Sequence, residues 1–282
     1  MLARSAAAMM VVANFYSSEN GKKIGWLKKS RLVLQMARNR KRIVSGTGFV
    51  EQLTMVSAIL RIPPAVPGVV VECGSYQGAS TASLSLACEL TGRRLYVFDS
   101  FEGLPEPSQS DRKHLVMSTD EIHSYERGAW SGSLDLVRRN IEKFGAIRTC
   151  EFVPGYFEDT LPKLAEPVVF AFCDVDLRDS LKTCLRYLWP LLQDGCALFT
   201  HEAHHHEIAS LFYDPGYWQT NLGCSPPGLV GAGSGLGLSP LKRGFYGSCI
   251  GYATKNPRPA VEVKELGVSE RVRIAIDKTS SR

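Results

Sequence analysis

No apolar run in this 282-residue sequence approaches the roughly 20 residues that a membrane-spanning helix needs, so no transmembrane segment is expected. There is no CxxC pair. The eight cysteines, at 73, 88, 150, 173, 184, 196, 224 and 249, follow no regular spacing, and several sit inside apolar runs such as AFCDVD and GCALF. That argues against a disulfide framework or a zinc knuckle and for reduced, buried thiols in a cytoplasmic compartment. The start, MLARSAAAMMVVAN, has only a faint likeness to a targeting segment. No internal repeat is present. Charge of one sign is also scarce outside one region. Ten of the 33 basic residues and one of the 28 acids fall in residues 1–50, so the net +5 belongs to the N-terminus and the remainder is mildly acidic. The main body is therefore not expected to bind nucleic acid. The basic segment reads as a solvated helix face, with anionic lipid or an acidic partner as the alternative.

What is present is an alternation of short apolar runs and helical patterns. Residues 1–18 read as frayed or weakly helical. Residues 24–43 place Leu27, Arg31 and Leu34 at helical spacing among basic residues, which predicts a basic amphipathic helix. A second helix is expected over residues 48–62, stopped by Pro63-Pro64. GVVVECG (68–74), RRLYVFDS (93–100), TCEFVPG (149–155), VVFAFCDVD (168–176), GCALFT (195–200) and GFYGSCIGYAT (244–254) read as strands. Helices are expected over 79–90, 131–145 and 180–192. Strands alternating with helices predict an α/β fold, a parallel sheet with helices on both faces. The organisation expected is a basic helical extension (1–47), one α/β domain (48–256) and a tail (257–282). Residues 223–239, rich in Gly, Ser and Pro, read as a loop that either covers a site or is plain surface.

The strongest local signal is VECGSYQG (71–78). A strand ends, an acid stands at Glu72, and Gly74 and Gly78 precede a helix. Such glycines permit a tight turn and close approach of backbone to a ligand. The pattern is not the dinucleotide fingerprint GxGxxG, because Tyr76 stands where its second glycine should be. An acid here suits a ligand with a cationic amino group. The next strand ends in Asp99, where a carboxylate can accept from both hydroxyls of a ribose. In this order the features favour S-adenosylmethionine over a nicotinamide dinucleotide.

YVFDSFEGLPEP (96–107), VRRN (137–140), GYFEDTLP (155–162) and DVDL (174–177) resemble the macrocin, mycinamicin and novobiocin sugar O-methyltransferases, over about residues 48–254. The resemblance implies a class I methyltransferase fold of Rossmann-like type with an antiparallel C-terminal strand, S-adenosylmethionine, a divalent metal (usually Mg²⁺), a homodimer, and a sugar hydroxyl of a glycosylated small molecule or glycan as methyl acceptor in natural-product biosynthesis. It places Glu72, Gly74 and Gly78 at the methionine end, Asp99 and Ser100 at the ribose, and Gly155, Tyr156 and Phe157 near the adenine. Asp174 becomes a metal ligand and Asp176 the general base; the alternative is that one of them caps the following helix.

The sequence departs from that family where the next strand ends. An Asp-Asp pair is usual there, and His201-Glu202 stands instead. With Asp174 this makes a ligand set in which the imidazole shifts preference from Mg²⁺ toward Mn²⁺ or Zn²⁺. The same stretch, HEAHH (201–205), spells HExxH, but its first His closes a strand, so the two His are not expected to share a helical face as in zinc proteases. The departure keeps open a non-methylating enzyme, such as a cyclase, that binds S-adenosylmethionine on the same scaffold, and the basic N-terminal helix keeps open a methyltransferase-like binding module that docks onto anionic lipid or a partner.

Overall fold

A computed structural model describes residues 2–17, 24–117, 120–231 and 249–256. The chain opens with three helices, α1 (Leu2–Ser17), α2 (Trp26–Asn39) and α3 (Phe49–Arg61). The α/β alternation follows: β1 (Val69–Cys73), α4 (Ala79–Thr91) and β2 (Leu95–Asp99), then a hairpin of β3 (Lys113–Val116) and β4 (Glu121–Ser124). Next come α5 (Leu134–Phe144), β5 (Cys150–Pro154), the short α6 (Phe157–Thr160), β6 (Val168–Cys173), α7 (Arg178–Leu191) and β7 (Leu192–Thr200). The described chain ends with α8 (His206–Leu211), α9 (Pro215–Leu222) and β8 (Gly251–Thr254).

Six strands form one sheet in the order β5-β2-β1-β6-β7-β8. All neighbours pair in parallel except β7 and β8, which are antiparallel. β1 and β6 lie at the centre, and every residue of VVVEC and VVFAFC is buried. This is why they read as continuous apolar runs: a strand covered on both faces has no reason to alternate. Helices α1 to α5 contact one another on one side, and α6 to α9 cluster around α7 on the other. The α/β fold with an antiparallel edge strand is the one expected.

The N-terminal helices depart from expectation. Residues 2–17 form one continuous helix, and Phe15 near its end is fully buried in the same cluster as the sheet residues. In α2 the inner face is not the one marked by Leu27, Arg31 and Leu34. Leu27 and Leu34 are exposed, whereas Lys29, Leu32, Met36 and Asn39 are buried. Two buried polar groups explain the rotation. The Lys29 ammonium donates to the carbonyls of Phe15 and Tyr16 at 3.1 and 3.0 Å, capping the C-terminal end of α1, where a cation is favoured. Asn39 Nδ2 donates to the Phe144 carbonyl at 2.8 Å.

The hairpin β3–β4 has no counterpart in the predicted elements. It is tied to the segment after β7 by a bridge between Val116 and His205. Of the expected 223–239 loop, residues 232–239 lie outside the described residues, as do 244–248 of the last expected strand and the tail from 257.

Candidate functional site

The carboxyl ends of β1, β2, β6 and β7 face one cleft that is partly open to solvent. This is where open α/β sheets bind ligands. Gly74, Asp99, Ser100, Tyr156, Phe157, Asp174, Asp176, His201 and Glu202 all line it. Glu72, Gly78 and Gly155 do not; Glu72 and Gly78 are buried, and Gly155 is half-buried.

The turn after β1 and the turn after β2 are locked together by Asp99. Its Oδ2 accepts from Ser75 N (2.6 Å) and Ser75 Oγ (2.9 Å), and its Oδ1 from Phe101 N (2.7 Å). Ser100 Oγ donates to the Gly103 carbonyl and accepts from Glu102 N, bracing the next turn. Residues in the left-handed region gather here. Tyr76, Trp130, Asp176 and Glu202 line the cleft with φ of 47°, 57°, 57° and 39°, and Phe101 adjoins it at 57°. Non-glycine residues held at positive φ cost energy and concentrate at functional sites.

Behind the wall, the Glu72 carboxyl is fully buried, with the hydroxyls of Ser80 and Thr81 beside it. Burial pushes its pKa up to about 8; the nearby Ser80 and Thr81 hydroxyls offset this in part, and the charges of Asp174 and Asp99 add to it. The folded protein therefore retains a proton that the unfolded chain releases near 4.5. Stability should fall as pH rises from about 4.5 to about 8, by roughly 1.4 kcal/mol per pH unit at most, and level off above. Glu72→Gln is expected to remove this decline and to be the more stable protein at pH 8, with little difference near pH 5. Urea denaturation at the two pH values checks it, and equal pH dependence in both proteins would refute the buried neutral acid.

Asp174, His201 and Glu202 each offer a ligand atom within 4.8 Å of the others. His201 Nδ1 lies 3.3 Å from Asp174 Oδ1 and is hydrogen-bonded to Glu202 Oε1. Burial opposes charge on His201, but the two carboxylates outweigh it and hold the pKa well above the usual imidazole value. Burial, then the charges of Glu202 and Asp174, raise that of Asp176. Strand alternation is not what aligns Asp174 with Asp176. β6 stops at Cys173, and Asp176 reaches the cleft from a left-handed turn.

Neither aspartate caps α7. Asp111, buried and outside every motif, does so from a distance. It accepts from Arg178 N (3.0 Å) and Asp179 N (2.8 Å), while its Oδ1 also meets His114 Nε2 at 3.0 Å. Tyr76 and Trp130, edge to face at 5.8 Å, form an aromatic wall that no sequence signal marked. Of the two His of HExxH, His201 joins the Asp174 cluster, whereas His205 precedes α8 and contacts His123.

A family model for the macrocin-O-methyltransferases (TylF) matches residues 47–210, more than half of the chain. The chain belongs to this family. Among curated relatives, it is 34% identical over 135 residues to a tetracenomycin-C rhamnosyl 4'-O-methyltransferase of Streptomyces olivaceus, covering 46% of this chain and 51% of that one. It is 29% identical over 136 residues to the mycinamicin III 3''-O-methyltransferase of Micromonospora griseorubida, covering 46% and 53%. The chain thus spans about half the length of the curated relatives it matches. Among solved structures, the O-methyltransferase NovP is similar with a TM-score of 0.53 at 16% identity, covering 90% of this chain and 98% of that one. A calicheamicin methyltransferase is similar at 0.51 and 18%, covering 89% and 91%. At these identities the structures speak for the fold. Among the described residues, no helix is long and apolar enough to cross a membrane.

Proposed function

We propose that this protein is an S-adenosylmethionine-dependent O-methyltransferase acting on a sugar hydroxyl of a glycosylated small molecule or glycan. The observation that carries the reading is the shared cleft: a carboxylate at the end of β2 and the cluster Asp174, Asp176, His201 and Glu202 after β6 and β7 face one space in a chain of this family. Asp99 and Ser100 would hold the ribose, Tyr156 and Phe157 the adenine, and the Gly74 turn the methionine end, with buried Glu72 behind it.

In methyl transfer an oxygen–carbon bond forms as the carbon–sulfur bond breaks, and the acceptor hydroxyl gives up a proton. The cofactor brings an activated methyl group, and a bound divalent metal would contribute Lewis acidity at the acceptor oxygen. The donor set fits such an ion. Two carboxylates and an imidazole converge, and His201 Nδ1 stands between the carboxylates where a cation is favoured. Asp174, His201 and Glu202 would hold it, with a preference nearer Mn²⁺ or Zn²⁺ than an all-carboxylate site. Asp176 receives the hydroxyl proton. The cleft walls orient the acceptor in line with the methyl group. A homodimer in solution is part of this reading.

Calorimetric titration with S-adenosylmethionine tests the cofactor site. Wild-type protein should bind it, and Asp99→Ala should weaken binding about a hundredfold, the equivalent of losing one or two charge-assisted hydrogen bonds. Equal affinity in the two proteins, or none in the wild type, would remove the proposal.

A further inference from the structure

Outside the cleft, three histidines meet where the hairpin touches the chain after β7. His123 lies on β4; His204 and His205 lie between β7 and α8. One ring nitrogen of each is within 4.8 Å of one from the others. His205 Nε2 and His123 Nδ1 are 3.1 Å apart. Two imidazole nitrogens sharing a tetrahedral ion at about 2.0–2.1 Å stand about 3.3 Å apart, so this pair is already near ligand spacing. His204 turns its Nε2 toward Cys249 Sγ at 3.9 Å, and its Nδ1 is buried with no partner among the described residues. His205 Nδ1 lies 3.3 Å from the Tyr125 hydroxyl, the kind of outer hydrogen bond that fixes a ligating ring. Backbone contacts hold the frame: Met117 N donates to the His204 carbonyl at 2.9 Å, and Val116 bridges His205. None of the three histidines lines the cleft.

We propose that His123, His204 and His205 form a second metal site, for a borderline divalent transition ion such as Zn²⁺, which staples the β3–β4 hairpin to the segment after β7. All-imidazole donors select this class of ion over Mg²⁺ or Ca²⁺. His205 binds through Nε2, and its Nδ1 proton is donated to the Tyr125 oxygen. His123 is exposed, so water has access to the fourth position. The site does not depend on the proposed methyl transfer.

The test uses full-length, metal-stripped protein titrated with Co²⁺, followed by its visible absorption, and then displaced by Zn²⁺. Wild type and Asp174→Ala should each retain one tight equivalent at the histidines, and Zn²⁺ should raise the Tm of both. Removing a partner outside the ligand set already costs 10–100-fold in affinity, so loss of a ligand in His123→Ala should cost about 100-fold or more at this site, and in the Asp174→Ala background it should abolish the Tm rise. His204→Gln should behave likewise, which guards against a folding defect peculiar to one variant. Unchanged stoichiometry and affinity in both histidine variants, complete loss of binding in Asp174→Ala, or no binding by wild type would overturn the site.

Discussion

Asp176→Asn should lower kcat by 10²–10⁴-fold while leaving the affinity for S-adenosylmethionine nearly unchanged, since the cofactor is proposed to rest on Asp99 and the Gly74 turn. The range is that of losing a positioned general base. Asn keeps the shape of the side chain but cannot take the acceptor proton. Two features single out Asp176 from its neighbours. It is held in the left-handed region at φ 57°, a cost that a purely structural Asp could avoid, and it is absent from the Asp174–His201–Glu202 ligand cluster. Its carboxyl is also crowded by the charges of Glu202 and Asp174. The Asn variant should accordingly be no less stable than wild type. Single-turnover methyl transfer with labelled cofactor, beside calorimetric binding, separates the two effects. Full turnover would assign the proton to another group; lost cofactor binding would recast Asp176 as part of the cofactor wall.

The fold was legible where burial follows local pattern. Continuous apolar runs marked β1 and β6, and the glycine turn after β1 marked the end of the sheet that carries the cleft. It was illegible where a distant polar contact decides. The face of α2 turns on Lys29 reaching the carbonyls of α1, residues that no periodicity connects. The N-terminus of α7 is satisfied by Asp111, 67 residues upstream of Arg178. The hairpin KHLV/EIHS carries charges and histidines in place of a clear apolar face, since β4 is exposed throughout. The site divides in the same way. Motif residues at the ends of β1, β2, β6 and β7 gather in the cleft, while Gly155 after β5 does not line it and Glu72 and Gly78 are buried away from it. Spacing along a strand–turn–helix says which residues are near a ligand, not which ones face it. Trp130 escaped because its place depends on the chain returning over Tyr76, where Gly132 lies against the Tyr76 carbonyl.

Gly74→Ala should destabilise the protein by about 2–5 kcal/mol and disable the cleft as well. Two costs add at this residue. Its φ of +85° is one that a Cβ makes unfavourable, roughly 1–2 kcal/mol. The added Cβ would also lie 1.9 Å from the Asp174 carbonyl oxygen, which is backbone and cannot swing away as a side chain would. Overpacking of this kind costs about 1–3 kcal/mol and sometimes more. The crowding is no accident of a loose turn. Asp174 N donates to the Cys73 carbonyl at 2.9 Å and Gly74 N to the Phe98 carbonyl at 2.9 Å, so the parallel ladder continues into both turns. Relief of the clash must therefore move Asp174 away from His201 and Glu202. Gly92→Ala supplies the control: its φ is +74°, but nothing lies within 4 Å of the added Cβ, so only the conformational cost of about 1–2 kcal/mol applies. Urea denaturation should show Gly74→Ala as much the weaker of the two, and calorimetry should show it losing affinity for both S-adenosylmethionine and a divalent ion. Equal destabilisation by the two substitutions would mean that the turns after β1 and β6 can separate without cost, and that the cleft does not depend on their contact.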